Sequence, residues 1–320
     1  MNEITLLQQV PSIQTTSSLG DSSPSSSSSS TLSFQVRNQI PKIPYTSLTN
    51  LTQIASGLTA DIYLGQGPDN KSYILKLFNE DCYDNYQNEI KFISTYNNAH
   101  PNTIIPIYSY GFIKNREDKW YKQFYIVMEY APLGDLVNVI ESSNISLTNA
   151  KAIFKQLLNC VKHFHQSGFI HRDIKPENFL LFENGDIKLT DFGFCESKSK
   201  LSLEKSGTPG YMAPEVLELP ENGNNVTTIV DLNGEAIDVF SLGVIAFVLV
   251  TGEFPFENAN DKDECYKYIY NNEWDKFWEC VNKESLCKEF KDMFKKMVCV
   301  DKNERWSVQQ ILECDWIKND

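Results

Sequence analysis

The chain has 320 residues, with 29 Lys and Arg against 42 Asp and Glu, a formal charge of −13 and a pI near 4.9. That balance lacks the basic stripe that nucleic acid or an anionic membrane requires, so neither is an expected partner. A hydrophobic share of 41% and an aromatic share of 12% suffice for a substantial core. No Lys or Arg precedes Arg37, which argues against a secretory or transit leader, and the apolar run from Leu242 to Val250 is too short to span a bilayer. The eight cysteines form no C-x-x-C pair and show no zinc spacing. Free thiols in a reducing compartment are therefore expected, in a soluble cytoplasmic or nuclear monomer.

Residues 1–47 read as a Ser-rich arm with an unbroken run from Ser25 to Ser30. Too little apolar area is available there to offset the entropy of ordering, so disorder is expected. From Leu48 the pattern turns to strands. Leu51 to Ile54 and Ile62 to Leu64 bracket a turn of mostly small residues, Ala55-Ser56-Gly57-Leu58-Thr59-Ala60-Asp61. Tyr73-Ile74-Leu75-Lys76 alternates as a strand, and a lysine buried there needs a counter-charge to keep its proton. The helical pattern from Tyr86 to Tyr96, with Ile90, Ile93 and Phe92 inward, supplies Glu89; Glu80 is the alternative but stands in the connecting loop. His100-Pro101-Asn102 closes this helix and Ile104 to Tyr110 returns as a strand. Lys114 to Lys122 is a charged hairpin tip, Phe124 to Met128 an apolar strand, and Pro132 with Gly134 marks the crossing to a second subdomain. A helix follows from Asn149 to Ser167, with Ile153, Leu157, Val161 and Phe164 on one face; His163 and His165 read as packing residues.

The chemistry is concentrated in His171-Arg172-Asp173-Ile174-Lys175-Pro176-Glu177-Asn178, followed across a β-rich stretch broken at Asn184-Gly185 by Asp191-Phe192-Gly193. Short strands bring Asp173, Asn178 and Asp191 to one mouth. Phosphoryl transfer from a metal nucleotide needs a carboxylate to orient the hydroxyl and accept its proton, a carboxylate and an amide on Mg²⁺, and a lysine against the developing charge. Asp173, Asp191 with Asn178, and Lys175 fit those roles. These motifs resemble the eukaryotic protein kinase superfamily over about Leu48 to Ile317, and Lys175 resembles its serine/threonine branch.

The resemblance implies an α+β, two-lobed protein kinase fold: a small antiparallel-sheet N-lobe (48–128) with one main helix, a hinge (129–131), and a larger, mostly helical C-lobe (132–317). ATP and Mg²⁺ are the implied cofactors and protein Ser/Thr hydroxyls the acceptors. Ile54 to Ile62 (Ile54, Ala55, Ser56, Gly57, Leu58, Thr59, Ala60, Asp61, Ile62) then forms the nucleotide lid, reading A-x-G-x-x-A-x-I where the family has G-x-G-x-x-G-x-V. Lys76, held by Glu89, matches the phosphate-binding lysine. Met128 stands behind adenine, Glu129 to Ala131 offers the hinge backbone, and Leu180 also belongs to the nucleotide site. His171 packs on Phe192, Thr208 hydrogen-bonds near Asp173 and Lys175, and Arg172 pairs with a negative group on the activation segment, Asp191 to Glu215. Glu204 is the expected partner of Arg172, with Ser202 and Ser206 as candidate phosphosites.

Beyond Glu215 the resemblance implies an exposed insertion from Glu218 to Asn233 and an Arg305–Glu215 ion pair. The stretch opening at Asp238 reads as a buried helix, and Asp238 would anchor the His171-Arg172 backbone. Trp274, Phe277 and Trp278 are core, and Phe290 to Val298 and Val308 to Ile317 are helices. No D-x-D-x-D-G loop follows, so no built-in calcium switch or C-terminal autoinhibitory tail is expected, although the catalytic region is calcium/calmodulin-dependent-kinase-like. Glu177 and Asp135 stand where relatives that prefer arginine before the target carry acids, while Val248 replaces a third, so only a mild basic preference is implied. The alternative is a catalytically weak pseudokinase acting as a binding or scaffold module, supported by the degenerate lid alone.

Overall fold

A computed structural model describes residues 42–96, 99–114, 122–141, 145–219 and 232–319. Most of the Ser-rich arm, the 115–121 part of the charged tip and the 220–231 part of the insertion lie outside the described residues. The N-terminal lobe is a five-stranded antiparallel sheet made from β1 (Thr49–Ser56), β2 (Ala60–Gln66), β3 (Ser72–Phe78), β4 (Ile107–Lys114) and β5 (Lys122–Glu129), in the order β1-β2-β3-β5-β4. The strand expected from Ile104 starts later: Ile104 makes only an isolated bridge to Leu189, and β4 begins at Ile107.

The two-residue period of β3 explains the lobe. Tyr73 and Leu75 join Ile43, Leu48, Tyr125 and Val127 in a small outer cluster, while Ile74 and Phe78 face the main core. Lys76 shares that inner face, so alternation alone aims a lysine into the cleft. There it meets α1 (Tyr83–Tyr96), whose buried residues are Tyr86, Glu89, Phe92, Ile93 and Tyr96. Phe92 is the fully buried member; Ile90 is only partly covered.

The second lobe is mostly helical, comprising α2 (Leu136–Glu141), α3 (Leu147–Gln166), α4 (Pro214–Leu217), α5 (Gly234–Thr251), α6 (Tyr266–Tyr270), α7 (Trp274–Cys280), α8 (Lys288–Val298), α9 (Val308–Leu312) and α10 (Asp315–Lys318). α3 starts two residues before the expected Asn149, because Ser146 caps it by accepting from the Asn149 N–H. By length and composition α5 could cross a membrane, but it is a core helix, packed between α3 and α8. Gly243 makes that packing close: a Cβ there would lie 2.7 Å from Val298 Cγ1. The helix expected over Val308 to Ile317 is two short helices, because Ser307 opens α9 with a capping box and Cys314 precedes a second start at Asp315.

Four short strands, β6 (Phe169–Ile170), β7 (Phe179–Leu181), β8 (Ile187–Leu189) and β9 (Glu196–Ser197), frame the loop that carries Asp173. β7 pairs with β8 and β6 with β9, both antiparallel. The cysteines differ from expectation. Cys265, before α6, and Cys280, ending α7, are brought to a Cα–Cα distance of 5.9 Å and form a disulfide; the other six are free thiols.

Candidate active site

Three charged groups meet beneath the sheet. Lys76 donates to Glu89 and, at 2.8 Å, to Asp191 Oδ1. Glu89 is 1% exposed and Lys76 only 5%. Burial works against the Lys76 charge, but Asp191 and then Glu89 more than offset it, holding the ammonium above the usual lysine range. Burial likewise opposes the Asp191 charge; Lys76 outweighs it and lowers that carboxyl to about 2. For Glu89 burial wins and lifts the carboxyl to about 7. Glu89 thus binds its proton more tightly folded than unfolded, so its contribution to stability is full at acid pH and is lost as pH rises through about 7. Glu89→Gln should therefore melt progressively higher relative to wild type as pH is raised from 5 to 8, in paired calorimetric scans. A constant difference would contradict the shift.

Asp191 reaches the lysine from a left-handed backbone position, φ 61°. Next to it, Phe192 is buried against Phe92, with ring centroids 4.5 Å apart, against Phe164 at 5.5 Å, and against His171 edge-to-face at 5.9 Å. His171 Nε2 lies 3.0 Å from the Thr190 carbonyl and serves packing, not proton transfer. The loop backbone is fixed from below: the His171 and Arg172 N–H groups each donate to Asp238 at 2.9 Å, and His165 Nε2 lies 2.8 Å from the same carboxylate. Burial disfavours the Asp238 charge, but the His165 hydrogen bond and charge outweigh it and hold the carboxyl below its usual range. His163 packs flat against His100 at 4.3 Å, with Nδ1 2.9 Å from Thr103 Oγ1.

At the mouth, Asp173 is the common acceptor. Thr208 Oγ1 donates to its Oδ1 at 2.8 Å, Lys175 Nζ lies 2.8 Å from its Oδ2, and Asn178 Nδ2 donates to its carbonyl at 2.7 Å. Lys175 also donates to Thr208 Oγ1 at 2.9 Å, so one alcohol already sits between the carboxylate and the ammonium. Asn178 spends its nitrogen on Asp173, leaving its amide oxygen as the atom suited to a hard cation beside Asp191.

The lid residues form the β1–β2 turn. Gly57 N–H donates to Ala60 O at 3.0 Å, and Ser56 Oγ donates to Asp61 at 2.6 Å. Leu58 is 96% exposed at the tip, Ile54 and Ala55 are exposed, Thr59 and Ile62 are half-buried, and Ala60 points into the core. Sequence reasoning missed Asn79, which donates to the Gly57 and Leu58 carbonyls at 3.1 and 2.9 Å and, from its backbone, to Thr59 O. A side-chain tie thus fixes the turn in which two alanines replace the family's glycines. At the hinge, the Glu129 side chain turns to Lys188, 2.5 Å away, and its N–H donates to Pro106 O. Ala131 is buried, Leu180 half-buried on β7, and Met128 6% exposed with Thr190 against its sulfur.

Arg172 contradicts one expectation. Its guanidinium does not pair with the Glu204 carboxylate; Glu204 offers only its backbone carbonyl, 2.6 Å from Nη2. The carboxylate on Arg172 is that of Glu196, at 2.6 Å. The reason is strand pairing: β9 lies on β6 with Glu196 opposite Ile170, two residues before Arg172, whereas the Glu204 side chain faces solvent. Ser206 Oγ is buried without a partner among the described residues, whereas Ser202 Oγ is bonded to Glu196 and Arg172; both serines are half-buried. Further on, Arg305 grips Glu215 with two bonds of 2.6 and 2.8 Å.

The family model for the protein kinase domain matches residues 48–317. The chain is 31% identical over 281 residues to the serine/threonine-protein kinase STE20 of Saccharomyces cerevisiae, covering 86% of this chain and 27% of that protein. It is 32% identical to the serine/threonine-protein kinase shk1/pak1 of Schizosaccharomyces pombe (87% and 40%) and 30% identical to a calcium/calmodulin-dependent protein kinase type 1 of Macrobrachium nipponense (73% and 62%). It therefore spans between about a quarter and three fifths of these relatives' length. Fold, the Lys76–Glu89–Asp191 cluster and the match along 48–317 agree, and the chain belongs to the protein kinase family.

Proposed function

We propose that the chain transfers the γ-phosphoryl group of ATP to serine and threonine hydroxyls of protein substrates. The observation that carries this reading is that both halves of the site are assembled at once. Lys76 bridges Glu89 and Asp191, while Asp173, Lys175 and the Thr208 hydroxyl form a closed set. That argues against the pseudokinase alternative, because a scaffold needs neither cluster.

Each residue then has a task. Asp173 aligns the acceptor hydroxyl and takes its proton as the oxygen bonds to the γ-phosphorus and the bond to the departing diphosphate breaks. Lys175 sits against the charge that develops on the phosphoryl oxygens. Lys76 is placed for the α- and β-phosphates, and the backbone of 129–131 for the base. The donor set of Asp191 and Asn178, a carboxylate and an amide oxygen, suits Mg²⁺, which when bound neutralises phosphate charge. The lid from Ile54 to Ile62 covers the nucleotide, held from below by Asn79.

Exposed Glu177 and half-buried Asp135 supply acidic groups, whereas Val248 is core at 5% exposure. A peptide array with Ser, Thr or Tyr as acceptor tests the reading. Labelling of Ser and Thr, with a several-fold gain from arginine upstream, is expected; labelling of Tyr alone would overturn the Ser/Thr assignment, and no gain from arginine would remove the basic preference.

A further inference from the structure

A cavity of about 850 Å³ opens beside Gly210, two residues after the Thr208 that bonds Asp173. One wall is the loop between α5 and α6, the other is the end of α7, and the Cys265–Cys280 disulfide joins them. The two walls are anchored unequally. Phe277 and Trp278 of α7 are buried in the core, with ring centroids 5.7 and 5.6 Å from Phe294 of α8. From Asn260 to Glu264 the loop is exposed except at half-buried Asp263, so little apolar burial holds that stretch. It is held by polar contacts, chiefly the Asp263 carboxylate, which accepts from the Glu257, Asn258, Cys265 and Tyr266 N–H groups at 2.9 to 3.1 Å, and by the disulfide. At the rim, Phe254 is 51% exposed and links the loop to the activation segment: its ring lies 5.3 Å from that of Tyr211, and a Cβ at Gly210 would lie 3.6 Å from its Cε1. Cys160 and Cys195 are buried, and burial raises both thiols; Cys265 and Cys280 are half-buried on the open cavity, where a small reductant can reach the bond.

We propose that Cys265–Cys280 is a redox modification site, a reversible thiol–disulfide switch: oxidised, it braces the cavity wall beside Gly210 and favours capture of the protein substrate; reduced, it lets that wall relax. This rests on the kinase reading given above and concerns its regulation. In reduction, a thiolate of a dithiol attacks one cysteine sulfur, the Cys265–Cys280 bond breaks, and the displaced cysteine takes a proton. The second thiol of the dithiol then attacks the mixed disulfide. The dithiol leaves as its own disulfide and both cysteines as thiols, so two electrons and two protons pass to the protein. Oxidised glutathione reverses the exchange and leaves as two reduced molecules. The buried rings of α7 hold it in both states, so the loss of the bond falls on the loop and, through Phe254, on Tyr211 and Gly210. The pair acts through these residues and is a positioning element, not a catalytic one.

The test takes the full-length wild type through oxidation with glutathione disulfide, reduction with dithiothreitol and reoxidation, beside Cys265→Ala and Cys280→Ser. Intact mass after alkylation should count six free thiols in the oxidised chain and eight in the reduced one. Reduction is expected to lower kcat/KM for a basic serine peptide roughly three- to tenfold, mostly through KM, with KM for ATP within about twofold. Amide hydrogen exchange should rise over 252–265 and stay unchanged over 274–280. Reoxidation should restore both readings, and each variant should behave like the reduced wild type and respond to neither reagent. Equal kinetics and exchange in the two states, a disulfide that forms at no glutathione ratio, or a loss that extends to ATP or to α7 would overturn the proposal. Should a variant fail to fold, the reduced wild type decides. If no form phosphorylates any peptide, the kinase reading fails, while thiol count and exchange still decide whether the pair switches the loop.

Discussion

Asp173→Asn should bind ATP as wild type does and transfer phosphate roughly 10²- to 10⁴-fold more slowly. The amide is isosteric but has a single acceptor oxygen, so it keeps one of the two bonds, to Thr208 or to Lys175, while the loop backbone stays tied to Asp238 and should keep its shape. What it loses is the negative charge and the capacity to take the hydroxyl proton. Asp173 is 4% exposed, its backbone neighbour Arg172 is pinned to Asp238, and its carbonyl holds Asn178, so the loop is held from several sides. Nucleotide titration by thermal shift, beside kcat, separates the two effects. A variant that keeps kcat, or one that loses nucleotide binding with it, would place the proton acceptor elsewhere.

The largest expected loss of stability comes from Arg305→Met. Its guanidinium side chain is fully buried, donates two bonds to Glu215 and reaches the carbonyls of Cys299 and Ala236 at 2.8 and 3.1 Å. Removing it strands a carboxylate 15% exposed and takes a donor from the Cys299 carbonyl, at a cost of roughly 3–5 kcal/mol in urea unfolding. Glu215 ends the activation segment, so activity should fall as well. Adding Glu215→Leu should recover part of the stability, since the orphaned charge goes with it. A single variant within about 1 kcal/mol of wild type would show that the pair is not structural.

The parts of this protein that were legible in sequence are those fixed by short-range pattern. The β3 alternation aims Lys76 inward, and the helical face of α1 returns Glu89 to it, despite the short interval between them. His171 to Asn178 and Asp191 to Gly193 carry their geometry within a few residues of chain. The errors at the site lie where a distant pairing decides, whereas the ends of β4 and the split of the last helix are local. Glu204 looked like the partner of Arg172 by position along the segment, but the register of β9 on β6 gives that place to Glu196. Asn79 ties down the lid from the next connection, and Lys188 reaches the hinge glutamate from β8, neither of which any spacing announces. Cys265 and Cys280 become partners only because α6 and α7 pack together.

The most direct measurement is transfer of labelled γ-phosphate from Mg-ATP to a serine peptide by the wild-type chain, with Asp173→Asn as the blank. Label on the serine hydroxyl with wild type, and none above background with the variant, is the expected result. Equal label from both proteins, or none from wild type despite saturating nucleotide, would contradict the assignment of Asp173, Lys175 and Asp191 to phosphoryl transfer.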